Sequence, residues 1–196
     1  MATQTHDASL RELVDLLEIS AVGTAESMLV NHGRCPPPTM HLISALPDRP
    51  YVGYAVTRSH TPGADAADAL AAMGDLPAAM HAARLVLTWE QQDLYTALEL
   101  PQPAAPAVVV VDAGPGDHEL RRHPFTLPVG PPPQPGDSTV TPDWGQSTRE
   151  PDSPLPEPVA ALLATWRAGG DPRRLRAVYQ DMQHAGYTVR WVNTAS

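Results

Sequence analysis

An α+β fold follows from three features of this 196-residue sequence. Helical periodicity opens the chain, short β-branched runs separated by turn residues follow it, and an alanine-rich helical segment lies among those runs. Together they predict a mixed sheet of about five strands, packed by a long N-terminal helix and the Ala-rich helix, with a helix-helix-strand unit at the C-terminus.

The segment SLRELVDLLEISAVGTAESMLVNHG predicts the long helix, because Leu10, Leu13, Val14, Leu17, Ala21, Ala25 and Met28 recur at the three-and-four spacing of one helical face. Ser9 with Glu12 three residues on is a capping-box start, and Gly33 is a left-handed stop. Pro36, Pro37 and Pro38 forbid continuation. TMHLISAL and YVGYAVTRS read as strands joined by PDRP, whose prolines and aspartate favour a reversal, so an antiparallel pair is expected. ADAADALAAMGDLPAAMHAA is helical until Pro77, which breaks or restarts it with Asp75 as a cap. RLVLTWE is a short buried strand, QQDLYTALEL a short helix, and AVVVVDA the most apolar strand. After the turn GPGD, HELRRHPFTL returns as a strand, and Pro124 suggests an edge position for it.

These elements make a main domain over 1–127. From 128 to 158 proline, serine, glycine and aspartate dominate and periodicity vanishes, the composition of an extended, partly polyproline linker. Trp144 is a lone aromatic there, either a docking point or a side chain without a role. The remainder, 159–196, gives two helices and the strand YTVRWV, with Asp171 and Pro172 as a helix-start signature. So short a unit has little core of its own and is expected to pack on the main domain or a partner. The period-two pattern of YTVRWV suits addition to a sheet edge.

Composition excludes more than it assigns. The 13 basic residues are all arginine. With the abundant alanine and 23 prolines, this marks a GC-rich bacterial genome. Without lysine the chain supplies no Schiff-base amine and no phosphate-loop lysine. The formal charge of −9 repels nucleic acid and anionic membrane as a whole. No apolar run approaches a membrane span, the N-terminus lacks a signal-peptide pattern, and one cysteine forms no internal disulfide; a cytoplasmic location is expected. No phosphate loop, nucleophile elbow, dinucleotide fingerprint or paired Cys-x-x-Cys occurs, so no cofactor is expected.

Four groups of residues offer chemistry. In HGRCPPPTMH, His32, Cys35 and His41 have spacings from which a metal site can be drawn, but one tight pair is a weak framework, and helix termination is the preferred reading. Cys35 follows a helix end of the wrong polarity to favour a thiolate. Glu90 and Asp112 each end an apolar strand; on adjacent parallel strands they would share a crevice with His60 or Asp65, as in a metal-dependent hydrolase or nuclease. Ordinary turn chemistry after a strand is the preferred reading of both acids. In HELRRH, alternation puts Glu119, Arg121 and His123 on one face and His118, Leu120 and Arg122 on the other; Arg121 and Arg122 are candidate anion contacts or the charges of a solvated edge. Arg173, Arg174 and Arg176, with Arg167 and Arg190, give the tail a basic bias that allows nucleic-acid contact without favouring it. The expectation is a non-catalytic binding, adaptor or regulatory protein acting through protein contacts or self-association, with the hydrolase and the nucleic-acid binder as alternatives.

Overall fold

The structure is a computed structural model that describes residues 2–46, 48–128 and 141–192. Helix α1 (Ala2–His32) is followed by β1 (Thr39–Ile43) and β2 (Tyr51–Val56). The alanine-rich segment forms α2 (Ala64–Ala71), a tight 3₁₀ turn at Ala72–Gly74, and α3 (Asp75–Met80). Strand β3 (Arg84–Glu90), helix α4 (Gln91–Ala97), β4 (Ala107–Ala113) and β5 (His118–Thr126) follow. The short strands β6 (Asp143–Trp144) and β7 (Thr148–Pro151) precede α5 (Glu157–Ala168), a 3₁₀ turn at Pro172–Arg174, α6 (Leu175–His184) and β8 (Thr188–Trp191).

The α+β class is the one expected, but the sheet is larger. Eight strands run in the order β6-β5-β4-β3-β1-β2-β8, with β7 also on β5. Every pairing among the described residues is antiparallel, so the sheet is not mixed. The reason lies in the connections: α2 and α3 lead from β2 to β3, and β1 lies between those strands, so this helical crossover creates no parallel neighbours.

The extra strands come from residues expected to be tether. β6 pairs with Phe125 and Thr126, and β7 with Glu119 through Arg122, so β5 is not an edge. Pro124 falls in the gap between those two pairings. Residues 129–140, the rest of the proline-rich stretch before Thr141, lie outside the described residues. Trp144 packs its ring 5.4 Å from that of Phe125.

Strand β4 is buried along its whole length, which explains why AVVVVDA shows no alternation: both faces are covered. Leu85, Leu87 and Trp89 of β3, with Val109 and Val111 of β4, join Leu70, Leu76, Leu162, Leu163 and Trp166 in the larger core. The C-terminal unit is built into that core. Trp166 Nε1 donates to the Ala82 carbonyl at 3.0 Å, Tyr187 Oη donates to the Ala69 carbonyl at 2.8 Å, and Arg167 donates to the Gly114 and Asp117 carbonyls. Gly74 is required here, because a Cβ at that position would lie 2.5 Å from the Leu162 carbonyl oxygen. β8 then pairs with β2, so the terminal strand extends this chain's own sheet.

On the opposite face the helix that packs, among the described residues, is α1. Val14 and Leu17 pack on Ile43, Val86 and Val110, while Ala25 and Leu29 pack on Cys35, Val108 and Phe125. The helix begins at Ala2, so Ser9 and Glu12 lie inside it, because the residues before them contain no helix breaker. Gly33 stops it as expected, at φ 66°, its amide donating to the Leu29 carbonyl.

The alternation predicted for β5 explains how α1 is held. Arg121 faces α1 with a side chain only 7% exposed. Its guanidinium pairs with Asp15 at 3.0 Å, with Glu18, and with Glu119 at 2.6 Å, and lies 3.7 Å from Asp112. Arg122, on the other face, pairs with Glu150. Replacing Arg121 leaves several carboxylates without their cation, and breaking a buried ion pair from one side costs about 3–5 kcal/mol. Arg121→Met is therefore expected to lower the unfolding free energy in urea by about that amount, whereas Arg122→Met, which breaks a more exposed pair, costs about 1 kcal/mol or less. Equal losses in the two variants would show that the buried cluster does not hold α1.

Candidate functional site

Antiparallel pairing separates the two strand-end acids. Glu90 pairs with Val108 and Asp112 with Val86, so the acids sit four residues apart along the ladder, about 13 Å at the rise of an extended strand. They do not share the crevice that parallel strands would have given them. Asp112 is held by Arg84, at 2.5 Å from Nε and 2.7 Å from Nη2. Glu90 caps α4: its carboxylate accepts from the Asp93 amide at 2.6 Å and from the Ala107 amide at 3.2 Å. Asp65 is occupied by Arg58 and the Thr61 amide, and the Arg58 bond holds its carboxyl down at about 2.

The other predicted groups are also dispersed. His32 is exposed at the end of α1, Cys35 is buried beyond it, and His41 lies in β1; no cluster of three potential metal ligands occurs among the described residues. Burial, then the nearby Glu90 and Asp93 carboxylates, push the Cys35 thiol up to about 12, so it is no nucleophile at neutral pH. Arg121 is saturated by carboxylates and offers nothing to an anion. Arg173, Arg174 and Arg176 are exposed and carry no ion pair among the described residues.

What the fold does assemble is a cleft. Helix α1 lies against β3 and β4 and meets β1 and β2 at Ile43 and Tyr51, while Thr39, His41, Tyr54 and Val56 of the same face line an open space beside it. The resulting cavity, of about 450 Å³, has Leu17, Ala21, Thr24 and Ala25 of α1 as one wall. Its floor is the α1 side of the sheet, with His41 of β1, Tyr54 of β2, Thr88 of β3 and Val108 of β4. Cys35, Pro36 and Glu90 also line a second cavity of about 470 Å³, where His60, Thr57, Arg34 and Asp93 lie. Glu90 and His60 are therefore brought to one cavity, and Asp112 is not among its lining residues.

His41 and Tyr51 form the polar centre of the cleft. His41 Nδ1 lies 2.9 Å from the Tyr51 hydroxyl, and the His41 ring is 6.0 Å from that of Tyr54. Burial pulls the imidazole down to about 4, so it is neutral at physiological pH. Burial and the neighbouring Tyr54 push the Tyr51 hydroxyl up to about 12. Thr88, only 7% exposed, has no hydrogen-bond partner for its hydroxyl among the described residues, nor does the Tyr54 hydroxyl.

Of these residues, sequence reasoning singled out His41 and Glu90 as chemical candidates and missed Tyr51, Tyr54 and Thr88. The available signal was alternation: in TMHLI and YVGYAV, Met40, Leu42 and Ala55 enter the main core, so Thr39, His41, Tyr54 and Val56 face the other way.

His41 makes stability depend on pH. Between its ordinary value of 6.5 and about 4, the unfolded chain binds a proton that the folded protein refuses. Stability is therefore whole above 6.5 and is lost as pH falls through that window, by about 2–3 kcal/mol at pH 4.5. Glu90 and Asp93, raised by burial, act in the opposite sense, so the comparison must be with a variant. In urea unfolding at pH 7 and 4.5, His41→Gln should lose less stability on acidification than wild type; an identical loss would remove His41 as its source.

Comparison of this chain with models of known families, with curated proteins and with solved structures gives no match.

Proposed function

We propose that this protein is a non-catalytic, cytoplasmic binding protein whose recognition site is the cleft between α1 and the β1–β2–β3 face. The observation that carries the reading is the cavity of about 450 Å³, a size typical of ligand sites, where apolar walls surround a few convergent polar groups. The acids that suggested hydrolysis support it indirectly. Asp112 serves as a counterion for Arg84 and Glu90 as a helix cap, so both have structural work away from a common metal. No helix among the described residues is long and apolar enough to cross a membrane.

A protein partner or second copy is favoured at a different place. β8 ends the sheet with its outer side unpaired among the described residues, and Leu46 and Val192, 65% and 48% exposed, lie beside Trp191 there. Such an edge accepts a further strand. Regulation by a partner at β8 and ligand binding in the cleft are compatible, because β2 carries Tyr54 and pairs directly with β8.

A mixture of neutral and charged ring-containing fragments, followed by amide shift perturbation, tests the cleft. Shifts should concentrate on β1, β2, β3 and the Leu17 to Ala25 turns of α1. Perturbation confined to β8, or to the exposed arginines of α6 and its preceding turn, would favour the other surfaces instead.

A further inference from the structure

The cleft restricts the charge and shape of what it can hold. Its lining includes no arginine, and its one carboxylate, Glu90, is committed to the amides of Asp93 and Ala107. An anion entering it would give up hydration without finding a counterion, and a cation would find only a carboxylate already shared with two backbone amides. The histidine on its floor is neutral. What remains unpaired is neutral: the Thr88 hydroxyl, the Tyr54 hydroxyl, and the ring nitrogen of His41 not used by Tyr51. Thr88 is 7% exposed and lies on the α1 face of the sheet with Val86 and Val110, which turns its side chain to the cleft it lines. Its hydroxyl is open to solvent through the cleft, so an edge group of a ligand can bond to it in place of water.

The floor and wall also set the shape. His41 and Tyr54 present aromatic rings to the cavity from neighbouring strands, paired directly across the ladder. The facing helix contributes small side chains, Ser20, Ala21, Thr24 and Ala25. An aromatic floor beneath a wall of small residues leaves a slot suited to a flat ring, stacked on one side and in aliphatic contact on the other.

Resting on the reading of the cleft as a ligand site, we propose that it binds a neutral, planar ring molecule that stacks on Tyr54, meets the His41 ring, tilted by 48°, at its edge and hydrogen-bonds to Thr88. The chemical class is an uncharged aromatic or heteroaromatic compound with at least one donor or acceptor on its edge. Carboxylates, phosphates and ammonium compounds are outside it.

Three probes sharing one ring system isolate the charge: 2-naphthol, 2-naphthoate and 2-naphthylmethylammonium, each titrated into the full-length protein at pH 7 by calorimetry. The expected result is saturable binding of 2-naphthol, with the two ions at least tenfold weaker. Thr24→Trp, an exposed position on the cleft rim, should weaken naphthol binding at least tenfold while leaving the melting temperature near wild type. Thr88→Val, which keeps the shape and removes the hydroxyl, should weaken it about five- to tenfold, the worth of one hydrogen bond in a dry site. If an ion binds as tightly as naphthol and Thr24→Trp blocks it, the cleft is a ligand site but the neutral class is wrong. An unchanged affinity in Thr88→Val overturns the hydrogen bond assigned here. Should no probe bind, or should binding survive Thr24→Trp, both this proposal and the cleft reading fall.

Discussion

The position of α1 depends on one buried cation. Arg121 lies beneath the helix with its guanidinium among Asp15, Glu18, Glu119 and Asp112. An arginine removed from water is tolerable only when its donors are met by acceptors in good geometry, and its planar fork allows several carboxylates to be met at once. Two of those acids sit on α1, one turn apart, so the cluster fixes both the rotation and the height of the helix over β5. His123, two residues along the same strand, adds a contact to Glu18 at 2.9 Å. The apolar contacts of Val14, Leu17, Ala25 and Leu29 supply area, but area alone would let the helix slide. The directional pairs fix its place.

That fixed place creates the cleft. Held to the β4 and β5 side by Arg121, α1 reaches β1 and β2 only at Ile43 and Tyr51, and among the described residues no other helix joins the core on that face. The opposite face is closed by α2, α3, α5 and α6, whose packing is close enough that Gly74 could carry no side chain. One face thus carries the larger core, and the other is left open at the cleft. At that place the sheet shows His41, Tyr54 and Thr88 beside Val56 and Val108. Leaving polar groups unpartnered beside an open volume loses stability locally, and such losses are characteristic of sites that are completed by a ligand.

The elements were largely legible in the sequence, because hydrophobic periodicity, Gly33 and the prolines report local structure. The antiparallel pairing of β1 with β2 could be read from PDRP, and the terminal strand from the alternation in YTVRWV. The long-range facts were not legible. Nothing in HELRRH distinguishes an arginine buried under a helix from one on a solvated edge; the difference lies in Asp15 and Glu18, more than a hundred residues away. The strands β6 and β7 were hidden by composition, since TPDWGQSTREPDS is polar and carries prolines at both ends, and their pairing is supplied by β5 rather than by their own propensity. The cleft was half legible: His41 was noticed as a possible metal ligand, for want of knowing that its neighbours would be Tyr51 and Tyr54.

Glu90 shows how a correct observation about sequence can lead to the wrong chemistry. An acid at the end of an apolar strand suggests a site when the next strand runs parallel, because strand ends then converge with helix N-termini at one rim of the sheet. In an antiparallel pair, the neighbouring strand begins where the first one ends, and the second acid is carried to the far rim. Glu90 is then alone with the start of α4 and the amide of Ala107, and its carboxylate ties β3, α4 and β4 together at one corner. That corner is also where the cleft meets the neighbouring cavity. The residue therefore matters to the cleft through position: it holds the strand ends together, and its carboxylate is spent on two backbone amides instead of on a shared metal. On the proposed reading, a lining without arginine selects against anions, which would lose hydration there and gain no counterion.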